Sequence, residues 1–262
     1  MTAFFQPLGE NRYAASELTA AVWSPDHQHV GPPSALLARE LERLPSTVDT
    51  AGGGTFGRIT FEVLGRVPVA EVEVSARVER PGRAVELLVA ELVAEGRVAL
   101  RANAWRIARA DTTAVVAGLP EPLPGPDEAK QMPMPDNWHS GYAKAMEWRS
   151  IHSGMFIPGD ATVWVRPLVD LVEGETLTDL QRLLTVADSA SGVSSRLDPR
   201  EWLFINTDLT VHLYRMPAGE WTALDATTIL GPDGVGMATS TLHDVHGPLG
   251  RTTQALLVRP QR

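Results

Sequence analysis

The sequence predicts an α+β fold built twice, each copy a central helix wrapped by an antiparallel sheet. Three observations carry that expectation. The stretch from Thr60 to Pro68 is echoed by Leu209 to Pro217, with Arg66 and Arg215, and Pro68 and Pro217, standing 149 residues apart. Further along, Arg101 and Arg251 stand 150 apart, so the offset hardly drifts, as a duplicated unit requires. Second, each half holds one amphipathic helical stretch followed by long alternating segments. Third, a proline-dense run from Gly118 to Pro135 lies between the halves. Proline at that density fixes φ and removes backbone donors, so an extended linker is expected there.

In the first copy, an extended segment is expected from Tyr13 to Trp23, then a loop from Ser24 to His29. Gly31 to Leu44 opens with two prolines and spaces Leu37, Leu41 and Leu44 at i, i+4 and i+7, which predicts a helix. From Val69 to Arg80 apolar and charged residues alternate, with Val72, Val74 and Val78 on one side and Glu71, Glu73 and Glu79 on the other. Arg80 to Arg83 reads as a turn. Arg83 to Glu95 would also suit a helix by composition, but the turn before it and the second copy favour a strand. Val98 to Ala108 closes the sheet.

The second copy repeats the plan. Tyr142 to Ser150 and Ala161 to Pro167 read as extended. Thr178 and Gln181 have capping-box spacing, opening a helix with Leu180, Leu183, Leu184 and Ala187 on one face. Strands are expected over Leu203 to Arg215, Trp221 to Leu230, Gly236 to Asp244 and Arg251 to Val258. A helix followed by long strands, at this length, is the pattern of the hotdog fold. The expected organisation is a hotdog at 1–117, a linker at 118–135 and a second hotdog at 136–262.

Composition narrows the function. A net charge of −9 lacks the basic face expected of a nucleic-acid binder. No cysteine is present, which excludes disulfides, Cys-based metal sites and a thiol nucleophile. No apolar run is long enough for a membrane span and no leader pattern is seen, so a cytoplasmic protein is expected.

Duplication allows subtraction, because polar residues found in one copy only are not needed by the shared fold. At offset 149 Asn206 faces Gly57, and at offset 150 Gln254 faces Ala104. Asp188 lies about 80° round the helix from Leu180, on the shoulder of the buried face. A carboxylate there needs donors, and both amides carry N–H₂ groups on strands expected to wrap that helix.

These residues, Leu183 to Ser189, Asn206 to Arg215 and Gln254, resemble the TesB-like acyl-CoA thioesterases across essentially the whole chain. The resemblance implies a double hotdog that hydrolyses fatty acyl-CoA with a water held by an Asp, a hydroxyl residue and a Gln. By position these are Asp188, Asn206 and Gln254, with Asn206 in the hydroxyl place and Thr207 next to it, facing the other way. Asp188 is expected to act as base, with the amides orienting the water and holding the carboxylate. A backbone N–H beside Gly31 is a candidate for the oxyanion, His29 for the pocket wall and Arg196 for the phosphates of coenzyme A. No cofactor or metal is implied, and a homo-oligomer is expected. A hotdog hydratase or dehydratase, or a non-catalytic acyl-CoA or fatty-acid binder, are the rival expectations.

Other signals point elsewhere less well. Gly52, Gly54 and Gly57 match a dinucleotide fingerprint, but a strand follows where a helix is required. The pairs His27 and His29, and His243 and His246, lack a third metal partner at readable spacing. There is no Gly-x-Ser-x-Gly elbow. Trp23, Trp105, Trp164 and Trp221 are expected in the core.

Overall fold

A computed structural model describes residues 2–49, 53–132, 141–155 and 157–261. The first copy contains β1 (Ala3–Gly9), β2 (Arg12–Ala15), β3 (Ala20–Ala21) and β4 (Ser24–Gln28), then α1 (Gly31–Arg43). Four long strands follow: β5 (Gly54–Val63), β6 (Glu71–Arg80), β7 (Val85–Ala94) and β8 (Arg97–Ala108). The second copy opens with β9 (Lys130–Gln131), α2 (Gly141–Lys144), β10 (Met146–Gly154), β11 (Ile157–Pro167) and β12 (Asp170–Val172). Its helices are α3 (Asp179–Ala187) and the short α4 (Ala190–Val193). It ends with β13 (Trp202–Asn206), β14 (Asp208–Leu213), β15 (Thr222–Leu230), β16 (Val235–Asp244) and β17 (Gly247–Pro260).

The repeat is visible in the strand order. The first copy runs β1-β2-β6-β7-β8-β5 and the second runs β10-β11-β15-β16-β17-β14, outer edge to centre in both. The copies join where β5 pairs antiparallel with β14, Thr60 opposite Thr210, so their sheets form one continuous surface. This is a double hotdog. The seam makes each copy's central strand the other's neighbour and leaves neither edge bare.

Register sharpens the alignment of the copies. Thr60 pairs with Asn103 and Thr210 with Thr253, both related by an offset of 150. Each copy carries one extra residue, Gly57 in β5 and Thr207 between β13 and β14. Asn206 therefore corresponds to Phe56, which corrects the expected match to Gly57; Gln254 does correspond to Ala104. The change to 149 belongs to the loops after these strands, not to the strands themselves.

The helices sit inside. Most of α1 is buried, including Leu36, Leu37 and Leu41, because the sheet covers one side and α3 the other. In α3 the expected face of Leu180, Leu183, Leu184 and Ala187 is buried, and the capping box forms through Thr178 and Gln181. Val85–Ala94 is a strand, as the preceding turn implies; its Leu and Ala residues pack where a helix could not reach its partners.

Several expected elements differ. The Tyr13–Trp23 segment breaks into β2, a 3₁₀ turn over Glu17–Thr19 and β3, because Ser16 caps that turn through its side chain. The Ser24–His29 loop contains β4, paired with β3. Tyr142 begins no strand but lies in α2. The linker is not free: Lys130–Gln131 pairs with β10, and Pro124 accepts a hydrogen bond from the Trp164 indole, 2.9 Å away. Its residues 133–135 lie outside the described residues, as does Gly52, although Gly54 does open a strand. Trp164 is core, whereas the Trp221 ring meets the Arg149 and Arg166 guanidinium groups, 4.6 and 4.8 Å from its centre. Trp23 is not core; it is 48% exposed.

Candidate active site

Asp188 ends α3 instead of lying within it, which corrects the helix expected to run through it. A helix C-terminus carries negative partial charge, so a carboxylate there depends on donors from elsewhere. It is 6% exposed, and the donors come from the strands. Asn206 donates to Oδ1 at 2.8 Å and Gln254 donates to the same oxygen at 3.0 Å. Gln254 also donates to the Asp188 carbonyl, and its own oxygen accepts the Ser191 N–H at 3.2 Å. The three residues expected from the resemblance are thus brought together, with both polar atoms of Gln254 engaged by Asp188 and Ser191. Among the described residues no hydrogen bond reaches Oδ2.

Across the copy boundary, His29 Nδ1 lies 3.5 Å from Asp188 Oδ2. That approach depends on Gly31: a Cβ there would come within 2.2 Å of the Thr185 carbonyl oxygen on α3. The start of α1 can therefore press against the end of α3 only without a side chain. Gly31 N–H donates to His29 Nδ1 at 3.1 Å, so Nδ1 is an acceptor and the neutral ring carries its proton on Nε2. Burial pushes the imidazole below its usual range, outweighing the opposite pull of the Asp188 charge.

The expected oxyanion donor beside Gly31 is not supported by this geometry. The Gly31 N–H is used by His29, Pro32 and Pro33 have none, and the Ser34 N–H goes to Val30. Thr207 donates outward to the Ala255 carbonyl at 3.4 Å, on the exposed side of the extra residue it forms. Arg196 is bound to the Thr228 carbonyl and Asp160 and does not line the cleft. Both corrections share a cause, since each side chain finds its partner on the outer side of the sheet or at its edge.

Residues not anticipated complete the wall. Tyr142 stacks flat on His29, ring centres 3.7 Å apart. Its hydroxyl donates to the Thr185 carbonyl at 2.9 Å and shares a 2.8 Å hydrogen bond with Ser189. Burial pushes that phenol far above its usual range, so it stays protonated. Trp148, Phe204 and Trp23 line the same cleft, with Trp23 edge-on to Phe204 at 5.7 Å. Nothing in the local sequence marks Tyr142; only the helical turn of α2, set against β3, brings it under His29. Among the described residues, no group of His, Asp and Glu able to hold a metal ion gathers, and no helix is long and apolar enough to cross a membrane.

Comparison with known proteins follows the two copies. Residues 19–107 match the family model described as acyl-CoA thioesterase N-terminal domain, and residues 126–258 match acyl-CoA thioesterase C-terminal domain. No curated protein matches the sequence. Among solved structures, a hot dog fold protein of Alicyclobacillus acidocaldarius superposes with a TM-score of 0.75 at 14% identity, covering 98% of this chain and 95% of that one. The TesB protein of Mycobacterium avium subspecies paratuberculosis gives 0.65 at 15%, covering 98% and 96%. An acyl-CoA thioesterase II of Mycobacterium marinum gives 0.62 at 15%, covering 98% and 95%. At these identities the structures speak to the fold.

Proposed function

Because this chain belongs to the acyl-CoA thioesterase family, we propose that it hydrolyses acyl-CoA with a water activated by Asp188. The observation that carries the reading is the asymmetry of the carboxylate. Oδ1 is held by Asn206 and Gln254, while Oδ2 faces His29 with no donor of its own among the described residues.

A thioester is already activated, so the protein must position water, accept a proton and stabilise the tetrahedral oxyanion. Water bound at Oδ2 attacks the thioester carbonyl as Asp188 takes its proton. The intermediate collapses, the C–S bond breaks and the proton returns from Asp188 to the coenzyme A thiolate, restoring the carboxylate and releasing free acid. General-base help of this kind is worth roughly 10²–10⁴ in rate, about 3–5 kcal/mol. Neutral His29 lines the cleft with its proton on Nε2 and serves as a donor to the developing oxyanion. Gln254 acts as a positioning residue, since both its polar atoms are engaged with Asp188 and Ser191.

The test is release of free thiol from acyl-CoA. Asp188→Asn keeps the size of the side chain and removes the base, and is expected to lower kcat at least about 100-fold. Undiminished thiol release by that variant would overturn the assignment. Hydration of an enoyl-CoA without thiol release would point instead to a hydratase.

A further inference from the structure

The cleft beside Asp188 is small, about 80 Å³. That is roughly half the ~150 Å³ void that holds a benzene ring, and well below the ~300–1,000 Å³ of sites for drug-sized ligands. Its inner wall is aromatic and fixed. Tyr142 is 2% exposed and Trp148 is 3% exposed, their rings edge-on with centres 6.3 Å apart. Each has its polar atom tied to backbone: the Tyr142 hydroxyl to Thr185, and the Trp148 indole N–H to the Ala143 carbonyl at 3.0 Å. To withdraw, either ring must break a buried hydrogen bond and leave a packed position.

We infer that the site takes compact acyl groups of about two to four carbons, the Trp148–Tyr142 wall setting the limit. This rests on the hydrolytic reading above and narrows the fatty acyl expectation drawn from the resemblance. An acyl chain whose carbonyl sits against Asp188 Oδ2 meets that wall within a few carbons. Trp23, 48% exposed at the rim and edge-on to Phe204, does not set the length.

The experiment is a chain-length series of saturated acyl-CoAs from acetyl to palmitoyl, with kcat/KM measured from thiol release by wild type, Trp148→Ala and Trp148→Phe. Folding of each variant is checked by thermal unfolding, and the wild-type series stands whether or not a variant folds. The expected result is a wild-type maximum at acetyl to butyryl. In a folded Trp148→Ala, the dodecanoyl-to-butyryl ratio should rise at least about tenfold, as the room for even one methylene can confer. Trp148→Phe should give an intermediate shift. A wild-type maximum at hexanoyl or longer would overturn the inference while leaving the hydrolytic reading intact. An unchanged profile in a folded Trp148→Ala would overturn the role of that wall. No thiol release at any length would overturn the hydrolytic reading and this inference with it.

Discussion

Asp188 has two oxygens in different situations, and that difference is the basis of the proposed chemistry. The donors on Oδ1 fix the carboxylate plane, so Oδ2 is presented to the cleft without losing side-chain freedom at the moment of reaction. Replacing Gln254 by Leu removes a donor from Oδ1 and leaves the Ser191 N–H unpaired. Hydrogen bonds to charged groups contribute about 1.5–3 kcal/mol, so kcat should fall roughly 10–100-fold with KM little changed. Steady-state kinetics normalised to the folded fraction, measured by circular dichroism, separates this from a purely structural defect, which lowers apparent kcat only in proportion to the folded enzyme lost. A second prediction concerns acid. Burial lowers both His29 and His243 below the usual value near 6.5, in each case against neighbouring carboxylates that pull the other way. The unfolded chain then binds more protons than the folded one as pH drops past that value. Stability is thus fully present above about pH 6.5 and declines below it, down to the depressed folded values. Urea midpoints at pH 7.5, 6 and 5 should fall in that order, and the decline should flatten when both histidines are replaced by Asn.

At the scale of elements, the contact between α1 and α3 assembles the site from two copies. Apolar spacing alone reveals both helices, and the capping box reveals where α3 begins. It does not reveal where α3 stops, because Leu180, Leu183, Leu184 and Ala187 would continue the same face through Asp188. The stop depends on strands β13 and β17, whose amides receive the carboxylate. The crossing depends on Gly31. Gly31→Ala should cost about 1–3 kcal/mol by overpacking, because the opposing atom is backbone and cannot rotate away. Thermal unfolding should show the loss. Activity should fall as well, since moving α1 outward carries His29 away from Asp188; a variant as stable and active as wild type would show that the helices need no such approach.

The two copies share one fifteen-stranded sheet, and the proposed site belongs to neither copy alone. The C-terminal copy supplies Asp188, Asn206 and Gln254, and the N-terminal copy supplies His29. Residues 118–262 made alone should therefore release no measurable thiol from acyl-CoA. They should also self-associate on size-exclusion chromatography, because β14 loses its β5 partner and becomes an open edge. An isolated C-terminal copy that is monomeric and fully active would refute both points. The first copy retains the scaffold with Phe56 and Ala104 where the second has Asn206 and Gln254. Its own buried polar cluster is structural: Arg106 donates to Glu86 at 2.6 Å, beneath Ser46 and Thr47. Burial raises the Glu86 carboxyl, but the bonds from Thr47, Arg106 and Ser46 together bring it below its usual range.

Periodicity and duplication are local or one-dimensional properties, and the sequence by itself determined what depends on them. These are the α+β class, the two copies, most long strands, the helices α1 and α3, and Asp188, Asn206 and Gln254 as candidates for one site. What depends on distance through space was decided by tertiary structure alone. The bulge at Thr207 reset the partner of Asn206 because backbone pairing, not residue count, defines equivalence. Tyr142 and Trp148 became the cleft wall because α2 packs against β3 and β10, which sets the Tyr142 ring between His29 and Trp148. The Gly31 N–H is taken by its neighbour His29, and the two prolines after it supply no donor in its place. Spacing along a chain carries no information about which neighbour a polar atom will find, since that depends on elements more than a hundred residues away packing at van der Waals distance.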